Sequence, residues 1–187
     1  TGHFRAGAKE GAGDGAAFLR EQAARLDSSQ GIAFFCPRGV GPTGLAALPK
    51  VKQTHLRRRF LLLGESLESG QVWDIRQAVG ALRSLPGLAK PPLSLRSGQV
   101  MGANALYASL YLEGLSRLEL EDLPVSHRNG PTYLNVLRYL DLPQALAMAA
   151  ERTPVTLYSG DTTPWRYAQA VTMALGMGDR LQFLRPE

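Results

Sequence analysis

The segment Gly98–Gly102 holds the residues whose spacing points most directly to chemistry. Two glycines follow an apolar run and precede an alanine-rich stretch, as in the G-x-S-x-G turn that presents a nucleophile between a strand and a helix. The middle residue of such a turn takes a strained backbone conformation and presents its side chain at the sheet edge. Here that residue is Val100, which has no lone pair to attack a carbonyl. We therefore expect a turn flanked by Gly98 and Gly102 that has no nucleophile.

Other groups capable of acid–base or nucleophilic chemistry are scattered along the chain. His127 follows a predicted strand and is placed to act as a base beside Asp122, although a loop histidine bonded to the backbone is the simpler interpretation. Ser97 and Ser126 are weaker candidates, because strand geometry should direct Ser97, which precedes Gly98, away from the turn, and Ser126 lacks the sharp turn. Cys36 ends an apolar run and is expected to be a buried, inert thiol. One cysteine and three histidines predict no metal site.

The composition is that of a globular protein. The 187 residues are 44% hydrophobic and 20% charged, which predicts one domain with a real core. No apolar stretch is long enough to predict a membrane span. The net charge of +5 comes mostly from scattered arginines, and the run Arg57–Arg59 is interpreted as a solvated helix face. We expect neither a nucleic-acid partner nor a membrane partner.

Hydrophobic spacing and the positions of Gly and Pro predict alternating elements. Helices are predicted over about 15–27, 56–63, 72–85, 103–112, 133–150 (one or two helices, interrupted at Pro143) and 164–175. Strands are predicted over 31–36, 93–95, 115–120, 154–158 and 181–184. This alternation predicts an α/β fold, a mostly parallel sheet of about five strands with helices on both faces. Ligands of such sheets bind beyond the carboxyl ends of the strands. Residues 1–14, rich in Gly and Ala, are predicted to be a flexible lead-in to a domain over 15–187.

Five motifs, taken in their order along the chain, resemble the α/β-hydrolase superfamily, in particular its acetyl xylan esterase and dienelactone-hydrolase-like branch. The resemblance covers about residues 15–187, and its motifs are Phe35–Gly41, Val72–Arg76, Gly98–Gly102, Leu120–Pro124 and Val155–Asp161. It implies a partial α/β-hydrolase fold that lacks the early strands.

The resemblance also implies roles for single residues. Asp161 matches the acid that orients and stabilises an imidazolium, and Val100 occupies the nucleophile position. Met101 would supply one oxyanion-hole N–H from its backbone. The catalytic histidine that follows the last strand in the family has no counterpart, since no histidine follows His127. An alternative role for Asp161 is to cap the helix that begins near Pro164.

The resemblance implies one further strand between the first two strands predicted here. An upstream domain or a second chain is expected to fill that gap, because an open sheet edge favours aggregation. Two functions are consistent with these features. The first is a non-catalytic hydrolase-like domain that acts as a structural or interaction module, and the alternative is a carboxylic-ester hydrolase completed by sequence or a chain outside this one. No cofactor is expected, and the sequence predicts no cellular location.

Overall fold

The structure is a computed structural model that describes residues 24, 31–41, 44–45 and 48–186. The lead-in predicted over 1–14 lies outside these residues, and so does the helix predicted over 15–27 apart from Ala24. None of the helices in the described part is long and apolar enough to cross a membrane.

Four strands form one parallel sheet and are paired in chain order. They are β1 (Leu93–Gly98), β2 (Leu115–Glu121), β3 (Val155–Tyr158) and β4 (Leu181–Leu184). Parallel neighbours require a long crossover connection, and a helix lies in each of the three connections. The predicted α/β architecture with a parallel sheet is therefore confirmed.

Five α-helices accompany the sheet within the described part of the chain. They are α1 (Lys50–Leu62), α2 (Leu67–Ser84), α3 (Gln99–Ser109), α4 (Leu142–Arg152) and α5 (Arg166–Ala174). Right-handed crossovers between strands taken in chain order place α3, α4 and α5 on one face of the sheet. Helices α3, α4 and α5 thus form one layer over the sheet, and α2 lies against α3.

The strands separate an apolar face from a polar one. Leu118, Leu120 and Leu157 are fully buried and belong to one core with the small side chains of α3 and α4. Burying each such leucine contributes roughly 2 kcal/mol. Arg96 and Glu119 are paired in register on the opposite face. The sheet therefore packs through its leucines and presents charged groups on its other side.

Side-chain caps determine where two of these helices begin. The hydroxyl of Ser66 accepts a hydrogen bond from the Ser69 N–H, and the Ser69 hydroxyl accepts one from the Ser66 N–H, each at 3.0 Å. Asp141 caps α4 in the same way. Pro143 lies in the first turn of α4, where its missing N–H has no intrahelical partner to lose. The prediction that Pro143 interrupts a helix is therefore wrong.

The strand predicted over residues 31–36 is absent from the structure. These residues join no ladder, and Cys36 is exposed, so the predicted buried thiol is also wrong. Phe35 packs partly against the core. An apolar run becomes a strand only where a neighbour satisfies its backbone groups, and among the described residues β1 pairs with β2 alone.

Candidate functional site

The chain passes directly from strand to helix at the carboxyl end of β1. Gly98 ends β1 in an extended conformation, and α3 begins at the next residue. Gln99 has a φ of 52°, in the left-handed region, which costs a residue with a side chain roughly 1–2 kcal/mol. The Gln99 residue is exposed at this edge of the sheet. A sharp and strained turn is therefore present in the segment that the glycine spacing indicated.

The strained residue is Gln99 and not Val100. Val100 lies in the first turn of α3 outside the left-handed region, with 40% of its surface exposed. The predicted strain is displaced by one residue because the helix begins immediately after Gly98. The residue that follows the strained one is therefore Val100, whereas the resemblance implied that Met101 follows the nucleophile position and supplies the oxyanion-hole N–H. Neither Gln99 nor Val100 carries a nucleophilic side chain.

A close contact favours glycine at Gly98, whereas a Cβ atom at Gly102 would be at ordinary van der Waals distance from its neighbours. A Cβ atom on Gly98 would lie 3.3 Å from both the Cβ and the carbonyl oxygen of Glu121. A Cβ atom on Gly102 would lie 3.4 Å from the carbonyl oxygen of Ser97. The Ser97 hydroxyl is buried without a hydrogen-bond partner among the described residues, in register with Leu120 on the apolar face. Ser97 is thus directed into the core rather than toward the edge of the sheet.

Arg96 links the ends of three strands on the polar face. Its Nε donates to Oε1 of Glu121 at 2.7 Å, and Nη2 bonds the same oxygen. Its guanidinium lies 5.2 Å from the centroid of the Tyr158 ring, and Nη1 lies 3.8 Å from a carboxylate oxygen of Glu119. These contacts hold β1, β2 and β3 together close to the turn.

Asp161 lies beyond the end of β3, where the resemblance places the acid. Its Oδ1 accepts a hydrogen bond from the Thr163 N–H at 2.8 Å. Bonds from the Thr163 backbone and side chain hold the pKa of this exposed carboxyl below its usual value. No histidine of the described part bonds to it. Thr162, not Asp161, is the N-cap of the 3-10 turn Thr163–Trp165, and no side chain caps that turn, so the bond from Thr163 to Asp161 is a local turn contact and the capping role stays a prediction.

His127 is 8% exposed and packs between the rings of Tyr107 and Tyr133. Its Nδ1 lies 2.9 Å from the carbonyl oxygen of Pro131. A carbonyl oxygen only accepts, so Nδ1 carries a proton and donates it. Its Nε2 lies 2.7 Å from the Tyr107 hydroxyl, which donates to it when the ring is neutral. Both nitrogens are therefore engaged, as in the simpler interpretation, and a role as a base stays a prediction.

A buried polar chain connects this aromatic cluster to the loop at residues 37–41. The Tyr133 hydroxyl donates to Oδ1 of Asn104 at 2.5 Å, and Nδ2 of Asn104 donates to Oε1 of Gln71 at 2.8 Å. Nε2 of Gln71 then donates to the carbonyl oxygen of Arg38 at 2.9 Å. Burial raises the pKa of the Tyr133 hydroxyl well above its ordinary value, so the hydroxyl keeps the proton that it donates.

Sequence reasoning missed Asp141, which joins the segment after β2 to the start of α4. Its Oδ2 accepts from the Ser126 hydroxyl at 2.6 Å, and its Oδ1 accepts from the N–H groups of His127 at 2.7 Å and Leu142 at 2.8 Å. Partial burial raises the pKa of this carboxyl, but the three bonds outweigh burial and leave it below its ordinary value. Ser126 therefore serves as a donor to a carboxylate. An Asp before Leu-Pro was a capping signal available in the sequence.

The pair Arg38 and Asp74 was also missed, although each residue lies in a motif of the resemblance. The Arg38 N–H and Nε donate to Oδ2 of Asp74 at 2.9 and 2.8 Å, and Nη2 donates to Oδ1 at 2.6 Å. The hydrogen bond from the Arg38 side chain is the main cause of the lowered pKa of Asp74. A Cβ atom on Gly70 would lie 3.0 Å from the Arg38 side chain, so glycine allows this close approach. The pair fixes the loop at 37–41 to α2.

A shallow cleft of about 370 Å³ lies apart from the strand-to-helix turn. Tyr107, Tyr111 and Tyr133 line it together with Glu65 and Leu134, and no residue of Gly98–Gly102 does. Within the described residues, no group of three His, Cys, Asp or Glu side chains is arranged to hold a metal ion.

Comparisons with known proteins give a likeness of fold. No family model and no curated protein matches the chain. Among solved structures, the fold is similar to the crystal structure of a putative acetyl xylan esterase from Bacteroides fragilis, with a TM-score of 0.62, 14% sequence identity and 91% of this chain covered. The match covers 48% of that protein, so this chain spans about half its length. The likeness supports an α/β-hydrolase-like fold and extends to the fold alone.

Proposed function

We propose that this chain is a non-catalytic α/β-hydrolase-like domain that acts as a structural or interaction module. The observation that carries the proposal is the left-handed backbone of Gln99 at the turn between β1 and α3. In a catalytic turn of this shape the strained residue carries the nucleophile. A carboxamide does not attack an acyl group, and a neighbouring base cannot activate it to do so. Gln99, rather than Val100, therefore stands in the nucleophile position under this proposal.

The surroundings of the other candidate residues support the same proposal. Asp161 bonds to the backbone of Thr163, and both ring nitrogens of His127 have partners. Ser126 donates to Asp141. None of these contacts joins a hydroxyl, an imidazole and a carboxylate in the series that acyl transfer by a serine requires.

The alternative is a carboxylic-ester hydrolase completed by sequence or a chain outside this one. The structural neighbour favours it, because that protein is named as a putative acetyl xylan esterase and is about twice as long as the matched part. Asp161 would then act as the acid of a triad. This alternative requires a nucleophile and a histidine from elsewhere, since Gln99 provides no nucleophile.

Hydrolysis of p-nitrophenyl acetate and labelling by a fluorophosphonate probe distinguish the two functions. The proposal predicts no burst, no saturable turnover and no labelled serine in the unmodified chain. A burst that disappears in Ser126→Ala or Ser97→Ala would contradict it and support the ester hydrolase. Mass spectrometry of the labelled peptide identifies the serine, and Ser84→Ala serves as a control at the exposed end of α2.

We also propose that an upstream domain or a second chain pairs with β1. The supporting observation is that β1 has β2 as its one strand neighbour in the described part of the chain, while residues 31–36 join no ladder. Light scattering over a concentration series tests the second-chain form of this proposal. A dimer would support it, and a stable, monodisperse monomer would contradict it.

A further inference from the structure

Helix α1 carries the unbalanced charge of the protein. Its thirteen residues have no acidic side chain in the first turn or elsewhere, and five of them are basic: Lys50, Lys52, Arg57, Arg58 and Arg59. The formal net charge of the whole chain is +5. Acidic and basic residues therefore balance over the rest of the chain, and the entire positive excess lies on this one helix.

One side of α1 faces solvent and carries two apolar side chains with a histidine and an arginine between them. Val51, His55, Arg58 and Leu62 are four, three and four residues apart, so they lie on one side of the helix. All four are exposed, Val51 at 66% and Leu62 at 86%. We call these four residues the α1 stripe. Leu62 is flanked by the exposed Leu61 and Leu63, so the end of the stripe lies in a contiguous apolar patch, and such a patch marks a surface that another molecule covers.

The opposite side of α1 is anchored to the domain. Arg57 forms an ion pair with the buried Glu68 of α2. Leu56 and Phe60 are half-buried, and the carbonyl oxygen of Phe60 accepts the N–H of Glu65 at 3.0 Å. The α1 stripe is therefore held outward by contacts that involve none of its own residues.

We propose that the α1 stripe binds an acidic polypeptide segment that also carries apolar side chains. Arg57 is paired with Glu68 of α2, but α1 has no acidic residue to offset its other four cations, so charge complementarity favours an anionic partner. Because Val51 and Leu62 are exposed, the partner is also expected to carry apolar side chains that cover them. Arginine beside large apolar groups is a common composition for the centre of a protein interface.

The arrangement of the stripe favours a polypeptide over the other polyanions. A helix that lies in a lipid surface separates its apolar and cationic residues onto different faces, whereas the α1 stripe carries both on one side. Nucleic acid would pair phosphates with Arg58 and leave Leu62 and Val51 against charged backbone. This inference does not involve the turn at Gln99 and is independent of the proposed lack of catalysis.

Fluorescence anisotropy with a labelled peptide of glutamate and leucine tests the proposal on the full chain. We expect saturable binding that weakens with salt. Arg58→Glu and Leu62→Ser should each weaken it about tenfold, which corresponds to about 1.4 kcal/mol. Lys90→Glu makes the same charge change at an exposed site beyond the far end of α2 and should change the affinity by less than about twofold. All three side chains are exposed, and thermal unfolding verifies that each variant folds.

Four outcomes would overturn the proposal. The first is the absence of saturable binding, and the second is equal weakening by Arg58→Glu and Lys90→Glu, which would indicate net charge alone. The third is unchanged affinity in Leu62→Ser. The fourth is tighter binding to phosphatidylserine vesicles or to a single-stranded oligonucleotide than to the peptide.

Discussion

Replacing Asp141 with alanine should destabilise the protein more than the loss of a single helix cap would. One carboxylate accepts bonds from Ser126, His127 and Leu142, at 2.6, 2.7 and 2.8 Å. Loss of the helix cap costs about 1 kcal/mol. Each of the other two bonds, made to a charged and partly buried acceptor, contributes about 1 kcal/mol. We therefore expect Asp141→Ala to lower the free energy of unfolding by about 3 kcal/mol, or the melting temperature by roughly 6–12 °C.

Urea unfolding followed by circular dichroism measures this loss, and two variants serve as controls. Ser126→Ala removes one of the three donors and should cost about 1 kcal/mol. Asp161→Ala makes the same substitution at an exposed turn where one backbone N–H is bonded, so its loss should be smaller. If Asp141→Ala cost no more than Asp161→Ala, the reasoning that one carboxylate joins the loop and α4 would be refuted.

The pH dependence of the free energy of unfolding, measured for the unmodified chain and for Asp141→Ala, provides a second test. The folded-state pKa of Asp141 is below its ordinary value, so its contribution is present above the unfolded pKa of about 3.9 and is lost as the pH falls through the folded value. The difference in stability between the unmodified chain and Asp141→Ala should therefore be constant near neutral pH and shrink in acid. A difference that grows as the pH falls would contradict this assignment.

Two further predictions concern buried and loop contacts. Asp74→Ala removes the carboxylate that binds Arg38 by three hydrogen bonds, so hydrogen exchange in the 37–41 loop should speed up, and the loss of stability should be about 1 kcal/mol because the pair is partly exposed; unchanged exchange would argue against the pair. Tyr133→Phe deprives the fully buried Asn104 of its donor and should cost about 1–2 kcal/mol in urea unfolding; a neutral result would indicate that another donor satisfies Asn104.

Local hydrophobic spacing predicted most of the sheet and less of the site. The apolar runs that form β2, β3 and β4 each end shortly before a Gly or a Pro. These three strands could therefore be inferred from the sequence. Residues 31–36 show the limit, because an apolar run does not reveal whether a neighbouring strand will pair with it. The partners Arg38 and Asp74 are 36 residues apart, and only the fold brings them together.

The glycine spacing located the turn correctly but placed its strained residue one position too late, at Val100 instead of Gln99. Glycine spacing indicated that a tight turn lies between Gly98 and Gly102, and the structure has one there. Which residue absorbs the strain depends on where β1 ends and α3 begins, and that boundary was predicted several residues away at Ala103. A single backbone angle at Gln99 therefore decides which side chain is presented.

The unfolding free energies of Gln99→Gly and Val100→Gly test this central claim most directly. Glycine relieves the left-handed strain at Gln99, and after its greater freedom in the unfolded chain is subtracted, Gln99→Gly should stabilise the protein by about 0.5–1 kcal/mol. Val100 is in the first turn of α3 without such strain, so Val100→Gly should destabilise by about 0.5 kcal/mol. Stabilisation by Val100→Gly together with destabilisation by Gln99→Gly would contradict the account, because it would place the strained residue at Val100.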